Sequence, residues 1–396
     1  LVLLDPARAA LDTDDGGDDF AAIEPLTPEV CFAETPDIWP ETYFHSPWPL
    51  SEDYFLISYS FDPLPGMKAL TQKDTETGLY LLDRFGNLEL LYRGAGISGM
   101  YPIPARARPA PPVVPSAVNP SMGDEGEFLL GNVYASHMPF PPGREIRALR
   151  IFQILPKSET HVANKPRLGY ANAESARMFL GTVPVEADGS AYFRAPALRP
   201  LAFQAVDASG RAVQGMRSAA YLQPGERRSC VGCHESTAQA PGAGAGTVMA
   251  ARRGPSVIAR GPDGSMPWSF TRLVQPILDR HCVSCHTKDA KPPLTRRGEG
   301  EFSEAYAGLK DYARWYEWGK NSISVVASRP GEMPCDMSPL PGILRDANHA
   351  TLTLSDDDWR NIYLWLDANG AFYGAYSRPE QLAQRNGVAI PPPALQ

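Results

Sequence analysis

The chain has 396 residues, enough for two or three domains that each bury a core. No run approaches the roughly 18–20 apolar residues of a membrane span. With 37 Lys and Arg against 45 Asp and Glu, the formal charge of −8 argues against nucleic acid and anionic membranes as partners. An acidic surface suits a basic redox partner, though it is also ordinary for a water-facing protein.

The chain opens at Leu1-Val2-Leu3-Leu4-Asp5, with neither initiator methionine nor leader, and reads as a mature or trimmed product. Residues 1–30 are irregular and acidic. Asp12, Asp14, Asp15, Asp18 and Asp19 surround Gly16-Gly17. Calcium is an option there, but the bidentate glutamate and the regular spacing of an EF-hand loop are missing. A solvated segment is the expectation. From about 50 to 95 the pattern is β. Tyr54–Tyr59 reads as a strand, and Leu79–Asp83 and Leu88–Tyr92 flank the hairpin signal Phe85-Gly86-Asn87. These strands are too few for an independent sheet of ordinary size, so 1–100 reads as an acidic start plus part of something larger. The prolines of 101–120 predict an extended connector.

Residues 121–237 again read as β. Ala148–Leu155 is a strand ending at Pro156. Asp188-Gly189 predicts a hairpin between Thr182–Val185 and Ala191–Phe193, and Ser209-Gly210 one between Phe203–Val206 and Ala212–Gln214. After Pro224-Gly225 comes Cys230-Val231-Gly232-Cys233-His234, expected on a loop. Residues 238–267, rich in Ala, Gly and Pro, read as a flexible linker.

Residues 268–396 read as helical. Phe270, Leu273, Val274, Ile277 and Leu278 form an apolar stripe capped by Ser269 and bent by Pro276. This helix runs into Cys282-Val283-Ser284-Cys285-His286. Ser355 with Asp358 predicts a capping box, Trp359, Ile362, Tyr363 and Leu366 the buried face, and Gly370 the helix end. The fold class expected is α+β: β-rich amino-terminal and middle regions, then a helical domain.

The two C-x-x-C-H pentapeptides carry the chemistry. Two thiols three residues apart can each add to a vinyl group of one porphyrin, and the next histidine then lies under the iron. Both motifs therefore predict covalently bound haem c: Cys230, Cys233 and His234 for the first, Cys282, Cys285 and His286 for the second. The rival is one zinc site built from all four cysteines, although zinc ribbons space their pairs more closely. Thioether attachment takes place outside the bacterial cytoplasmic membrane, so a periplasmic or extracellular location is expected. Cys31 and Cys335 could form a disulfide there.

The second axial ligand decides between electron transfer and catalysis. Beyond the motifs stand His45, His137, His161, His281 and His349. His349, in the polar loop before the last helix, is the candidate for the second haem. Met333 and Met337 are alternatives, and a plain turn-capping role for His349 stays open. His281, beside Cys282, suits a neighbouring donor or a helix-end cation. At the first haem His137 and His161 are candidates, and a weakly ligated iron is equally compatible.

Several segments resemble the hydrazine synthase alpha-subunit family. They are Ile103-Pro104-Ala105-Arg106, Leu180 to Phe193, Met216-Arg217-Ser218, Gln223-Pro224-Gly225-Glu226 and Ser229 to Glu235, with the helical end region. The resemblance implies an amino-terminal propeller, a middle haem domain and a carboxy-terminal bis-histidine cytochrome c domain. It would make residues 50–95 a propeller remnant. It also implies a catalytic middle haem with an iron-binding tyrosine four residues after the motif histidine, where this chain has Ala238. The expected function is a dihaem c-type cytochrome passing electrons with other cytochrome subunits. The rivals are an oxidoreductase acting on a small nitrogen, oxygen or sulfur species at the first haem, and a mainly structural subunit.

Overall fold

The computed structural model describes residues 1–5, 22–30, 40–62, 76–116, 118–136, 138–158, 165–171, 175–233, 247–287, 289–298, 300–316, 322–323 and 329–393. The chain divides into two units, Leu1–Val114 and Pro115–Gln396.

In the first unit β1 (Val2–Leu4) pairs antiparallel with β2 (Ile23–Pro25). β3 (Tyr43–Pro49), β4 (Tyr54–Ser60), β5 (Gly78–Asp83) and β6 (Leu88–Tyr92) form an antiparallel meander in that order. The expected β5–β6 hairpin is present. Asp83 Oδ1 accepts the backbone N–H groups of Phe85 and Asn87, both at 2.9 Å. Gly86 takes the positive φ of +91° that this turn requires. Phe55, Ile57, Tyr59, Tyr80 and Leu82 form the small core with Leu26. Four up-and-down strands are the strand count and connectivity of one propeller blade.

The second unit is a β-sandwich fused to helices. The sandwich strands are β7 (Glu125–Leu130), β8 (Ile146–Ile154), β9 (Arg177–Pro184), β10 (Ala191–Pro196), β11 (Leu201–Asp207), β12 (Ala212–Gly215), β13 (Arg227–Cys230) and β14 (Ala259–Arg260). One sheet runs β12-β11-β8-β9-β14, all antiparallel, and the other β10-β7-β13. They pack through Phe203 of the first sheet, whose ring centre lies 5.2 Å from Phe128 and 5.8 Å from Phe193 of the second.

Three expectations are corrected here. The Asp188-Gly189 turn forms, with Glu186 N–H donating to Ser190 at 2.8 Å. Yet its flanking strands belong to different sheets, so it is a corner between layers and not a hairpin. The first pentapeptide does not begin in a loop: Arg227–Cys230 is a strand parallel to β7. Residues 247–267 of the expected linker are also not a free tether, because β14 closes the edge of the large sheet against Gly181 and Thr182.

The helical region adds α1 (Phe270–Leu273), α2 (Gln275–His281), α3 (Glu304–Leu309), α4 (Pro334–Met337), α5 (Leu340–Ile343), α6 (Asp356–Asp367) and α7 (Arg378–Arg385). The expected bend near Pro276 is a break at Val274. Ser269 stands at the N-cap, but its hydroxyl faces Thr271 Oγ1 at 3.0 Å and caps nothing. The Ser355–Asp358 capping box is formed, and α6 ends at two left-handed residues, Asn369 and Gly370. Strands and helices share one core, which runs from Phe128 and Ile151 to Trp268, Tyr306 and Trp365. No helix among the described residues is long and apolar enough to cross a membrane.

Candidate functional site

Helix α2 delivers the second pentapeptide. Its last turn passes into Cys282, whose N–H donates to Leu278 at 2.8 Å. The chain then folds tightly, with the N–H groups of Cys285 and His286 donating to the Cys282 carbonyl at 3.1 and 2.8 Å. Both thiols are therefore held on one short turn. Cys285 is exposed and Cys282 half-buried. Burial, reinforced by neighbouring Cys285, pushes the Cys282 thiol up to about 11.

His349 closes a three-residue turn, Ala347–His349, that begins after Asp346. Its ring lies parallel to that of His286, the planes 8° apart and the centres separated by 6.3 Å. The environment fixes the tautomer of each. His286 Nδ1 is 2.9 Å from the Pro292 carbonyl oxygen, and His349 Nδ1 is 3.1 Å from Asp346 Oδ1. Both partners can only accept, so each Nδ1 carries a proton, and in the neutral ring the lone pair belongs to Nε2. The hydrogen bond from His349 holds the Asp346 carboxyl below the usual carboxylate range.

Met333 is buried, and its sulfur lies 3.4 Å from the Tyr316 hydroxyl; Met337 is exposed. Of the three expected partners for His286, His349 is the one placed parallel to it. His281 turns to Asp358, with Nε2 3.5 Å from Oδ2, alongside Arg280 at 2.6 Å.

At the first pentapeptide, Cys230 ends β13 opposite Leu130. The motif backbone is clamped along residues 131–135. Gly131 donates to Cys230 at 2.8 Å, Asn132 to Val231 at 3.0 Å, and Cys233 to Ala135 at 2.9 Å. A side chain on Gly232 would overlap the Ala135 carbonyl oxygen, so the clamp requires glycine there. His234, His137, His161 and Ala238 lie outside the described residues, as do Cys31 and the Asp12–Asp19 segment considered for calcium.

Among the described residues no three His, Cys, Asp or Glu side chains gather closely enough to hold a metal ion. All four motif cysteines are described, so the single four-cysteine zinc site is not formed. Among the described residues Cys335 is a buried free thiol; Cys31, its expected partner, lies outside them. Sequence reading missed Asp346, Pro292 and the 131–135 clamp. An acid three residues before a histidine was available as a signal, but it reads equally as a turn cap.

A β-sandwich with one cysteine pair, Cys230 and Cys233, at a strand end shares its core with a helical region that carries the other pair, Cys282 and Cys285. Residues 144–235 match the hydrazine synthase alpha subunit middle domain, so this part of the chain is similar to that family. A structure of Kuenenia stuttgartiensis hydrazine synthase is similar in fold, with a TM-score of 0.63 and 18% identity. The similarity covers 95% of this chain and 57% of that one, so this chain spans little more than half its length. No curated protein matches the chain.

Proposed function

We propose that the protein is a dihaem c-type cytochrome that passes electrons within a larger redox assembly outside the bacterial cytoplasmic membrane. The parallel pair His286 and His349 carries this reading. Two metal–nitrogen bonds of about 2 Å each, plus half the width of each ring, span about 6 Å. The observed separation of 6.3 Å matches that span, and with Nδ1 of each ring hydrogen-bonded, Nε2 is the nitrogen through which each would bind. The donor set fits haem c. Cys282 and Cys285 would hold the porphyrin through thioethers, and His286 and His349 would hold its iron. Cys230, Cys233 and His234 would hold the second copy on the β-sandwich, giving the carboxy-terminal region the role of a cytochrome c domain. Haem, when bound, supplies a one-electron iron couple. The chain fixes both imidazoles at Nδ1 and so limits rearrangement on electron transfer. Acidic net charge suits basic redox partners.

A pyridine haemochrome assay with metal analysis should count two haems and no zinc per chain. The ferric protein should show a low-spin signal from the His286–His349 site. A high-spin signal from both haems would sink the carrier reading.

A second reading is oxidoreductase chemistry on a small nitrogen, oxygen or sulfur species at the first haem. It is favoured by the family match, which ends on the first pentapeptide. Carbon monoxide or nitric oxide should then bind the reduced protein at that haem. Absence of binding counts against it.

A further inference from the structure

We propose that Asp346 is the positioning residue of the second site, latching His349 opposite His286 and making it the more electron-donating of the two imidazoles. This rests on the haem reading of that pair. One carboxylate oxygen, Asp346 Oδ1, accepts three hydrogen bonds: from the Asn348 N–H at 2.9 Å, the His349 N–H at 3.2 Å and the His349 ring Nδ1 at 3.1 Å. The turn it organises contains no buried residue, so apolar packing does not hold His349 in place. His286 is anchored differently. It follows α2, its carbonyl accepts from Leu294 at 3.0 Å, and its ring donates to the neutral Pro292 carbonyl. An anionic acceptor at Nδ1 leaves more negative charge on Nε2 than a neutral carbonyl does, and an electron-rich ligand favours oxidised iron. The two ligands are therefore unequal in basicity and in tethering, and Asp346 sets both differences.

The test uses the full-length holo-protein with Asp346→Asn, Asp346→Ala and His349→Ala. Asparagine keeps an oxygen for the turn N–H groups but removes the charge. Asp346→Asn should stay low-spin while one haem shifts toward the reduced state by at least tenfold, a rise of 59 mV for one electron. Asp346→Ala removes the latch, so part of the low-spin signal should be lost and carbon monoxide should gain access to the reduced protein. An unchanged potential in the first variant, or an unchanged spectrum in the second, would overturn the role of Asp346. His349→Ala separates the two ideas. If it leaves the spectrum unchanged, the axial pair itself is wrong; if it alters the spectrum while the Asp346 variants do not, the Asp346 assignment alone fails.

Discussion

Arg150 and Asp367 meet at 3.2 Å across 217 positions of sequence, and both side chains are almost wholly buried. Arg150 stands in β8, and Asp367 is the last residue of α6. The carboxylate also accepts the N–H groups of Ala212 at 2.9 Å and Cys335 at 3.0 Å. Gln204 completes the network, accepting from Arg150 at 2.8 Å and donating to the Asp367 carbonyl at 2.7 Å. Sandwich and helices are thus tied through one buried, satisfied cluster.

Asp367→Ala strands the Arg150 charge in the core and removes the acceptor for two backbone donors. The expected loss is about 3–5 kcal/mol, the usual cost of breaking a buried pair from one side. Urea unfolding should show a lower midpoint in a single transition for the whole second unit. A loss under about 1 kcal/mol would mean that the pair does not join strand and helix.

Local signals were legible wherever local chemistry decides the outcome. Phe85-Gly86-Asn87, Ser209-Gly210 and the Ser355–Asp358 box each formed as expected, because each is closed by residues within a few positions. Partner choice was not legible. Asp188-Gly189 dictates a turn, but packing of the two layers sends β9 and β10 to separate sheets. β13 finds β7 nearly a hundred residues upstream, and β14 is held by backbone pairing across Gly181, which no side-chain pattern announces. The site divides in the same way. The pentapeptides and His349 stand out by residue type, whereas the Pro292 carbonyl carries no sequence mark.

The clamp on the first pentapeptide gives a selective test. Gly232→Ala forces a methyl group onto the Ala135 carbonyl and should displace the motif from residues 131–135. The second pentapeptide follows α2 and is untouched by this change. Mass spectrometry of the purified variant should show one haem addition retained on a peptide containing Cys282 and Cys285. The addition on the Cys230–Cys233 peptide should be reduced severalfold. Equal retention at both sites would show that the clamp has no part in attachment.

Thiol reactivity in protein produced without haem should follow exposure. Alkylation near pH 8 requires thiolate, and a thiol with pKa about 11 is ionised to only about one part in a thousand there. Exposed Cys285 should therefore be modified well before Cys282. Cys335 is buried, and its thiol is pushed up by burial and by the neighbouring Asp367 carboxylate. It should react only after denaturation. Peptide mapping over a time course checks the order, and early modification of Cys335 would contradict its placement in the core.

Asp358 should contribute to the acid sensitivity of the fold. Burial alone pushes its carboxyl up. The Ser355 hydroxyl and N–H and the Arg280 guanidinium outweigh burial and hold it below the usual value of 3.8. The folded carboxyl thus binds its proton less readily than the unfolded one. Its stabilisation is complete above about pH 4 and is lost as pH falls through the lower folded value. Asp358→Asn removes this term and weakens the tie from α6 to Arg280 and His281, two residues before and directly adjacent to Cys282. The variant should be less stable than the parent near neutral pH, by about 1 kcal/mol for the altered cap. The difference should shrink below about pH 4. Urea midpoints across this range decide the matter: a gap that stays constant into acid would mean that the Asp358 charge does not stabilise the junction between α2 and α6.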